Sequence, residues 1–170
     1  MAIVGRTMLL VYMTQPAFAT LASCNTVAEL TSAVNDASIS HIQLASGTYS
    51  VTSSMCSPRG GSALCIGRNL IIEALTPGSV ILDAQGTQGA PRRAIHISSG
   101  YVDLIGLRIT GGYATGQHAD YGGGILVDPN SIGYSLTDTN VTLRQCEIYG
   151  NTATFLGGGL HVRKHAFRTK

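Results

Sequence analysis

Two histidines, an aspartate and an arginine occupy comparable places in three short apolar segments. His96 lies within RAIHI, Asp128 follows GGGILV, and His161 and Arg163 flank the valine of GGGLHVR. If the apolar residues of such strands face a core, the residues between them face outward. Such a face suits an acidic sugar, although its composition fits an ordinary solvated strand face better. These four residues are the candidate ligand-binding residues.

Acidic and metal-ligating side chains are few elsewhere in the chain. Nine Asp and Glu residues and five His residues are scattered along 170 positions. His41, His118 and His165 lack metal-ligand spacing relative to cysteines or acidic residues. Hard cations such as Ca²⁺ need several converging oxygen donors. We therefore expect no metal, no cofactor and no catalytic residue among these positions.

The four cysteines suit an exported protein, and four cysteines allow three disulfide pairings. Cys56 and Cys65 flank the polar, glycine-rich loop SPRGGSAL and are the predicted pair. Cys146 falls among apolar positions and is expected to be a buried thiol.

A glycosylation sequon is formed by Asn140, Val141 and Thr142. We predict that it lies on a loop, because a turn-rich segment precedes it. The sequon would be used only in a eukaryotic secretory pathway, where a glycan would be attached to Asn140.

The chain contains an internal repeat. Residues 102–112 align without a gap with residues 141–151, which follow 39 positions later. Residues 122–127, GGGILV, align with residues 157–162, GGGLHV, at an offset of 35. Repeats of this length are typical of solenoids, in which each turn packs only on its neighbours.

Apolar residues alternate within each copy, shift by one position and alternate again. In the first copy they are Val102 and Leu104, followed by Leu107 and Ile109. This pattern predicts two short strands separated by a bend, with Leu104, Leu107 and Ile109 buried. In stacked copies, equivalent apolar residues would align in columns that face inward. Leu143, Cys146 and Ile148 of the second copy would stack on Leu104, Leu107 and Ile109 of the first. Two further columns would consist of Ile95, Ile125 and Leu160, and of Ile97, Val127 and Val162.

Composition and charge agree with a strand-rich domain. Hydrophobic residues make up 44% of the chain and charged residues 12%, with 21 glycines and no tryptophan. Short strands joined by tight turns have this composition. The net charge of +2, concentrated in the last ten residues, is too small to indicate a nucleic-acid partner.

One helix is predicted near the start of the domain. Thr26 and Glu29 have the spacing of a capping box. The apolar residues that follow predict an amphipathic helix from about Val27 to Ala37. Such a helix would cover the open end of the first strands and protect their edge.

Residues 1–24 are predicted to be a signal peptide and leader, and residues 25–170 a partial domain. Arg6 precedes an apolar run, and residues 17–19, AFA, form a small-residue cleavage site. The alternative is a bacterial lipoprotein box ending at Cys24, and a third possibility is that no cleavage occurs. The apolar run is too short to span a membrane, and no other segment is long enough.

Several motifs resemble a known superfamily. The segment Ile42 to Tyr49, IQLASGTY, followed by ILDAQG at residues 81–86, is similar to the opening of pectin-lyase-like β-helix proteins. Residues 146–153, CEIYGNTA, followed by GGGL at 157–160, resemble the FxxN and GGA[ILV] repeats of polymorphic outer membrane proteins. The resemblance implies an all-β, right-handed parallel β-helix, truncated at its C-terminal end, with a short N-terminal capping helix.

The resemblance also limits the activity that is expected. The NTD, DD, GHG and RIK signatures of polygalacturonase-like enzymes do not occur in this chain, and Val51 replaces the glutamate of the GxYxE segment of pectin methylesterases. The first hypothesis is a non-enzymatic, secreted or cell-surface protein used for adhesion or carbohydrate contact. The second is an N-terminal fragment of a polysaccharide lyase or glycoside hydrolase, and the third is the product of a gene fragment. In each case the uncapped last strand is expected to promote self-association.

Overall fold

The computed structural model describes residues 20–56, 61–116, 120–129 and 139–163. The apolar run and cleavage site proposed for residues 1–19, His118, His165 and the basic residues 164–170 lie outside the described residues. Most of the described chain is β-strand, and its one helix packs near the N-terminal end of the sheets. Within the same ranges, no helix has the length and apolar character needed to cross a bilayer.

The elements follow one another with short connections. In chain order they are β1 (Thr20–Cys24), α1 (Val27–Asn35), β2 (Ile39–Leu44), β3 (Gly47–Ser50), β4 (Ser62–Ile66), β5 (Leu70–Ala74), β6 (Val80–Asp83), β7 (Arg93–Ile97), β8 (Gly100–Ile105), β9 (Leu107–Thr110), β10 (Tyr113–Ala114), β11 (Ile125–Val127), β12 (Thr139–Arg144), β13 (Glu147–Ile148), β14 (Thr152–Ala153) and β15 (Leu160–Val162).

The strands form three parallel sheets that the chain visits in turn. Sheet 1 has the order β1-β2-β5-β8-β12, sheet 2 the order β13-β9-β6-β3, and sheet 3 the order β15-β11-β7-β4. The short strands β10 and β14 form a further parallel pair. The prediction of an all-β chain with few helices is confirmed, and the sheets are parallel.

Equivalent residues of the repeat lie side by side in these sheets. Leu104 of β8 pairs with Leu143 of β12, and Ile109 of β9 pairs with Ile148 of β13. The register of both columns predicted for sheet 3 is confirmed, since Ile95, Ile125 and Leu160 pair across the sheet, as do Ile97, Val127 and Val162. The prediction that both columns face inward fails at their last members, because Leu160 and Val162 of the outermost described strand are 41% and 60% exposed.

Burial follows the predicted columns only as far as the sheets continue. Leu104, Leu107 and Ile109 are completely buried. The prediction that Leu143, Cys146 and Ile148 are also buried is wrong, because these three are only half-buried and pack against the core from one side. The reason is that β12 and β13 are the outermost described strands of their sheets.

Helix α1 begins at the predicted capping box. The Glu29 amide donates to Thr26 Oγ1 at 3.2 Å, and the Thr26 amide donates to Glu29 Oε2 at 3.0 Å. Leu30, Ala33 and Val34 are buried, and the helix contacts β1, β2 and β4. It ends at Asn35, slightly earlier than predicted.

The segment before the helix belongs to the sheet. Thr20–Cys24, which the sequence analysis placed in the leader, forms β1 at the edge of sheet 1 and pairs with β2. Cys24 is 2% exposed, and its carbonyl accepts a hydrogen bond of 2.8 Å from the Tyr49 hydroxyl.

Candidate functional site

The four candidate ligand-binding residues lie on the outer face of sheet 3, but this face is not an open surface. His96, Leu126 and His161 form one row across β7, β11 and β15, as predicted. The prediction that the face is solvent-exposed is wrong. His96 is 2% exposed and Asp128 is fully buried, whereas His161 and Arg163 are half-buried.

The row separates the two histidines. Because Leu126 stands between them, His96 and His161 belong to strands two places apart, at a separation of roughly 10 Å. They are therefore too far apart to act on one atom of a ligand. His96 instead lies beside the disulfide between Cys56 and Cys65, whose predicted pairing is confirmed with a Cα–Cα distance of 6.2 Å.

The other three candidate residues meet around Tyr121. The Tyr121 ring lies 4.8 Å from the His161 ring, at an angle of 32°, and the Arg163 guanidinium lies 4.6 Å from its centroid. Phe155 meets the same ring edge to face at 5.5 Å. Arg163 Nη1 is 3.4 Å from Asp128 Oδ2. We refer to Tyr121, Asp128, Phe155, His161 and Arg163 as the Tyr121 cluster.

Two charged side chains of the Tyr121 cluster, Asp128 and Arg163, are paired with each other. Burial, together with the nearby charge of Arg163, lowers the pKa of His161, and the Asp128 carboxylate opposes this shift only in part. A buried carboxylate needs a cationic or hydrogen-bonding partner, and the Arg163 guanidinium forms an ion pair with Asp128. Arg163 is therefore a weaker attractor for an acidic ligand than the sequence suggests.

An open groove lies on another side of the molecule, at the turns that connect sheet 3 to sheet 1. Its volume is about 630 Å³, and it is lined by Ala37, Ser40, Gly67, Arg68, Asn69, Ser99, Gly100 and Tyr101. Tyr101 is 60% exposed, and its amide donates to Asn69 Oδ1 at 2.9 Å. We refer to these lining residues as the Tyr101 groove.

The Tyr101 groove was missed by sequence reasoning because its residues come from three separate parts of the chain, at or next to the turns that lead into β2, β5 and β8. Gly67 to Asn69 lie between β4 and β5, Ser99 lies at the equivalent turn between β7 and β8, and Gly100 and Tyr101 are the first residues of β8. The Ser99 hydroxyl donates to the Gly67 carbonyl at 2.7 Å, which joins the two turns. Aligning SALCIGRN with RAIHISSG would have placed these turns together.

Arg68 lines the groove and was also missed. Its Nη2 atom donates to the carbonyls of Ala33 at 3.1 Å, Val34 at 3.2 Å and Asp36 at 2.9 Å. Its Nη1 atom donates to the Ile39 carbonyl. Helix α1 has no basic residue in its last turn, so Arg68 supplies the positive charge that its C-terminal carbonyls favour. Burial lowers the pKa of Arg68, and the charge of Asp36 opposes this shift.

Most described carboxylates have a specific partner within the chain. Glu29 accepts the amides that cap α1, and Asp36 accepts hydrogen bonds from Ser38. The remaining pairs across strands or turns are Glu73 with His41, Asp83 with Gln85, Asp103 with Arg144, Asp128 with Arg163, and Glu147 with Arg108.

The sequon lies on a strand. Asn140 and Thr142 belong to β12, because pairing with β8 begins at Thr139, which lies opposite Gly100. The prediction of a loop at this position is therefore wrong. Asn140 is nevertheless exposed, as a glycan attachment site requires.

A group that could bind a metal is present despite the expectation of none. Cys56, Cys65 and His96 each offer a ligand atom, and these atoms all lie within 4.8 Å of one another. Sequence spacing concealed the group because His96 lies far beyond Cys65 in the chain and becomes its neighbour only through strand pairing.

No protein-family model matches this chain, and neither a curated protein nor a solved structure does. The structure itself defines the class as an all-β protein of in-register parallel sheets.

Proposed function

We propose that the three sheets are the faces of a right-handed parallel β-helix. The support is that the chain visits sheets 1, 2 and 3 in a repeating order and stacks equivalent residues in register. Such an arrangement buries the apolar face of each turn against its neighbours. The resemblance to pectin-lyase-like and polymorphic outer membrane proteins points to the same fold.

We further propose that the protein is secreted or on the cell surface and contacts carbohydrate without catalysis. The observation that carries this proposal is the Tyr101 groove, in which an exposed aromatic ring stands beside Asn69 and Ser99. Aromatic rings pack against the apolar faces of sugars, while short polar side chains hydrogen-bond to sugar hydroxyls. Because the Arg68 guanidinium is engaged by carbonyls at the end of α1, the lining does not select acidic over neutral polysaccharides.

The engagement of the carboxylates supports a binding role. Glycoside hydrolases use two carboxyl groups that flank the scissile bond. In this chain Glu73 lies 3.0 Å from His41, Glu147 lies 2.7 Å from Arg108, and Asp103 pairs with Arg144. The alternative function, a polysaccharide lyase or glycoside hydrolase of the same fold, would need catalytic groups that are not already paired in this way.

The test is a binding assay against acidic and neutral polysaccharides with matched variants. Tyr101→Ala should weaken binding at least about tenfold, since an aromatic contact contributes more than its buried area alone. Phe155→Ala removes another ring, 63% exposed, in the Tyr121 cluster and should leave binding unchanged. If Phe155→Ala weakened binding and Tyr101→Ala did not, the binding site would instead be the Tyr121 cluster. Turnover of any polysaccharide, with or without Ca²⁺, would favour the enzymatic alternative, particularly if His161→Ala abolished it.

A further inference from the structure

A disulfide and a histidine lie together on the outer face of sheet 3. Cys65 of β4 is paired directly with His96 of β7, so both side chains project on the same side of the sheet. Cys56 reaches them from the preceding segment and is bonded to Cys65. The two sulfur atoms and one imidazole nitrogen all lie within 4.8 Å of one another.

Backbone contacts hold the three residues independently of the disulfide. Cys65 and His96 are fixed by the pairing of β4 with β7. Cys56 forms an antiparallel bridge with Ser62, in which the Ser62 amide donates to the Cys56 carbonyl at 3.1 Å and the Met55 amide donates to the Ser62 carbonyl at 2.9 Å. Breaking the sulfur–sulfur bond would therefore leave both cysteines beside His96.

A second anchor holds the segment that leads to Cys56. The Arg92 guanidinium donates to the Thr52 carbonyl at 2.7 Å, the Val51 carbonyl at 3.3 Å and the Ser54 hydroxyl at 3.3 Å. It also donates to the Ala84 carbonyl at 2.8 Å, which ties the segment to the turn after β6. This anchoring lowers the entropy cost of bringing Cys56 to a shared ligand.

We propose that Cys56, Cys65 and His96 form a thiol-dependent zinc site. In the oxidised chain the disulfide occupies the position. A dithiol reductant transfers two electrons and two protons to the disulfide, giving the Cys56 and Cys65 thiols, and is itself oxidised to a disulfide. One Zn²⁺ ion then replaces the two thiol protons, which are released to solvent, and His96 provides the third ligand through a neutral imidazole nitrogen.

The chemistry of the donors selects the metal. Two thiolates and one imidazole are ligands that zinc prefers, whereas Ca²⁺ and Mg²⁺ require oxygen donors. Zn–S bonds of about 2.3 Å and Zn–N bonds of about 2.0 Å place tetrahedral ligand atoms less than about 4 Å apart. The separated sulfurs and His96 reach such distances with small side-chain movements. Water would complete the coordination, since both cysteines are only half-buried.

The experiment measures zinc binding by the whole chain in two redox states. Oxidised and dithiol-reduced protein are freed of small molecules without oxygen and titrated with Zn²⁺ against a chromogenic chelator, with proton release recorded in weak buffer. Co²⁺ serves as the spectroscopic probe, because thiolate ligation gives a charge-transfer band. We expect one Zn²⁺ and two released protons per reduced chain, and no binding by the oxidised chain.

Variants assign the ligands. His96→Gln should weaken zinc binding at least about tenfold. Removing a residue that only hydrogen-bonds to a metal ligand already weakens metal binding by about this factor, and His96 is proposed to be a ligand itself. The matched control is the double variant of the two free cysteines, Cys24→Ser with Cys146→Ser, which should bind as the parent does. In the parent chain itself, bound zinc should protect Cys56 and Cys65 from alkylation while Cys146, which is half-buried, remains reactive.

Three results would overturn the proposal. The first would be a reduced parent chain that fails to bind Zn²⁺. The second would be loss of binding in the double variant of Cys24 and Cys146. The third would be a His96→Gln variant with unchanged zinc affinity and an unchanged cobalt spectrum. The proposal is independent of carbohydrate binding, so a failed polysaccharide assay does not affect it.

Discussion

Gly106 and Gln145 hold the same position in two successive copies of the repeat, and both have a positive φ, of 70° and 52°. Gly106 joins β8 to β9, and Gln145 lies between β12 and β13. This left-handed residue produces the bend at which the apolar alternation shifts by one position. Because residues with a Cβ atom adopt the conformation at a cost of about 1–2 kcal/mol, Gln145 is strained where Gly106 is not.

Exchanging the residue types at these positions should have opposite effects. Gln145→Gly should stabilise the chain by about 0.5–1 kcal/mol, because relief of the strain exceeds the entropy cost of glycine. Gly106→Gln should be destabilising, since its new Cβ would lie 2.9 Å from the Cα atom of Pro77. Urea unfolding followed by circular dichroism measures both. Equal destabilisation by the two substitutions would contradict the shared backbone conformation.

Arg68→Met should destabilise the chain by about 1–2 kcal/mol, because three carbonyls at the end of α1, two of them in partly buried hydrogen bonds, would lose a charged donor. The methionine keeps most of the side-chain volume, so the loss reports on hydrogen bonds and charge. Denaturant midpoints provide the measurement. Arg108→Met is the matched control, since Arg108 forms an ion pair with Glu147 at the surface, and its midpoint should hardly change. Equal effects of the two substitutions would argue against a capping role for Arg68.

The strand pattern was predictable because it depends on local periodicity. The alternation of Leu104, Leu107 and Ile109 predicted both strands and the bend, and the constant offset between the two copies predicted the pairing with Leu143 and Ile148. The half-burial of Leu143 and Ile148 was not predictable from the repeat, since a repeat describes positions within a turn and does not record which turn is outermost. Strand β1 was not predictable either, because its short sequence of small and apolar residues is also typical of a leader.

The environment of the candidate site was harder to predict. The sequence placed His96, Asp128 and His161 on the outward side of their strands correctly, but outward residues become buried when other segments lie over them. Tyr121 comes from a connecting segment, and its contacts with His161 and Arg163 depend on tertiary packing. The same applies to Cys56 and His96, which are distant in the chain and neighbours only in the fold.

His161 should make the stability of the chain sensitive to mild acid. Its folded pKa is lowered from the ordinary value of 6.5, chiefly by burial. In the unfolded chain this histidine therefore binds a proton more readily than in the folded chain. The contribution of His161 to stability is complete above pH 6.5 and is lost as the pH falls from 6.5 towards the lowered folded pKa. We expect a lower denaturant midpoint at pH 5 than at pH 7.5, with a smaller difference in His161→Gln.

The pH interval separates His161 from the acidic groups. Hydrogen bonds from Asn25 and Thr26 lower the pKa of Glu29, and those from Ser38 lower the pKa of Asp36, from ordinary values of 4.5 and 3.8. Their contributions are lost only below those values, so they change little between pH 7.5 and 5. Glu29→Gln is the control and should retain the parent's pH dependence in this interval. An unchanged difference in His161→Gln would show that another group is responsible.

The exported protein should begin at Thr20. Cleavage after Ala19 leaves β1 complete, whereas processing at a lipoprotein box would remove Thr20 to Ser23 and place a lipid on Cys24, which is 2% exposed in the fold. Mass spectrometry of the N-terminal peptide after secretion by a bacterial host is the measurement. A diacylglyceryl modification on Cys24 would contradict the prediction, and Cys24→Ser should leave export and the cleavage position unchanged.

The outermost described strand of sheet 3 should promote association between copies of the chain. Among the described residues, strand β15 pairs with β11 alone, and its apolar residues Leu160 and Val162 are 41% and 60% exposed. Unpaired backbone groups beside exposed apolar side chains favour pairing with a second strand of the same kind. We expect the purified chain to show a mass above that of a monomer by light scattering, increasing with concentration.

Charge at this strand should reverse the association. Val162→Lys places an ammonium group among the exposed apolar residues, and desolvating it in a strand–strand contact is unfavourable. The variant should therefore be monomeric at concentrations where the parent associates. Leu75→Lys is the matched control, because Leu75 is 57% exposed but lies at the turn after β5, and it should associate as the parent does. A parent chain that stays monomeric at high concentration, or association abolished equally by Leu75→Lys, would show that β15 is not the contact.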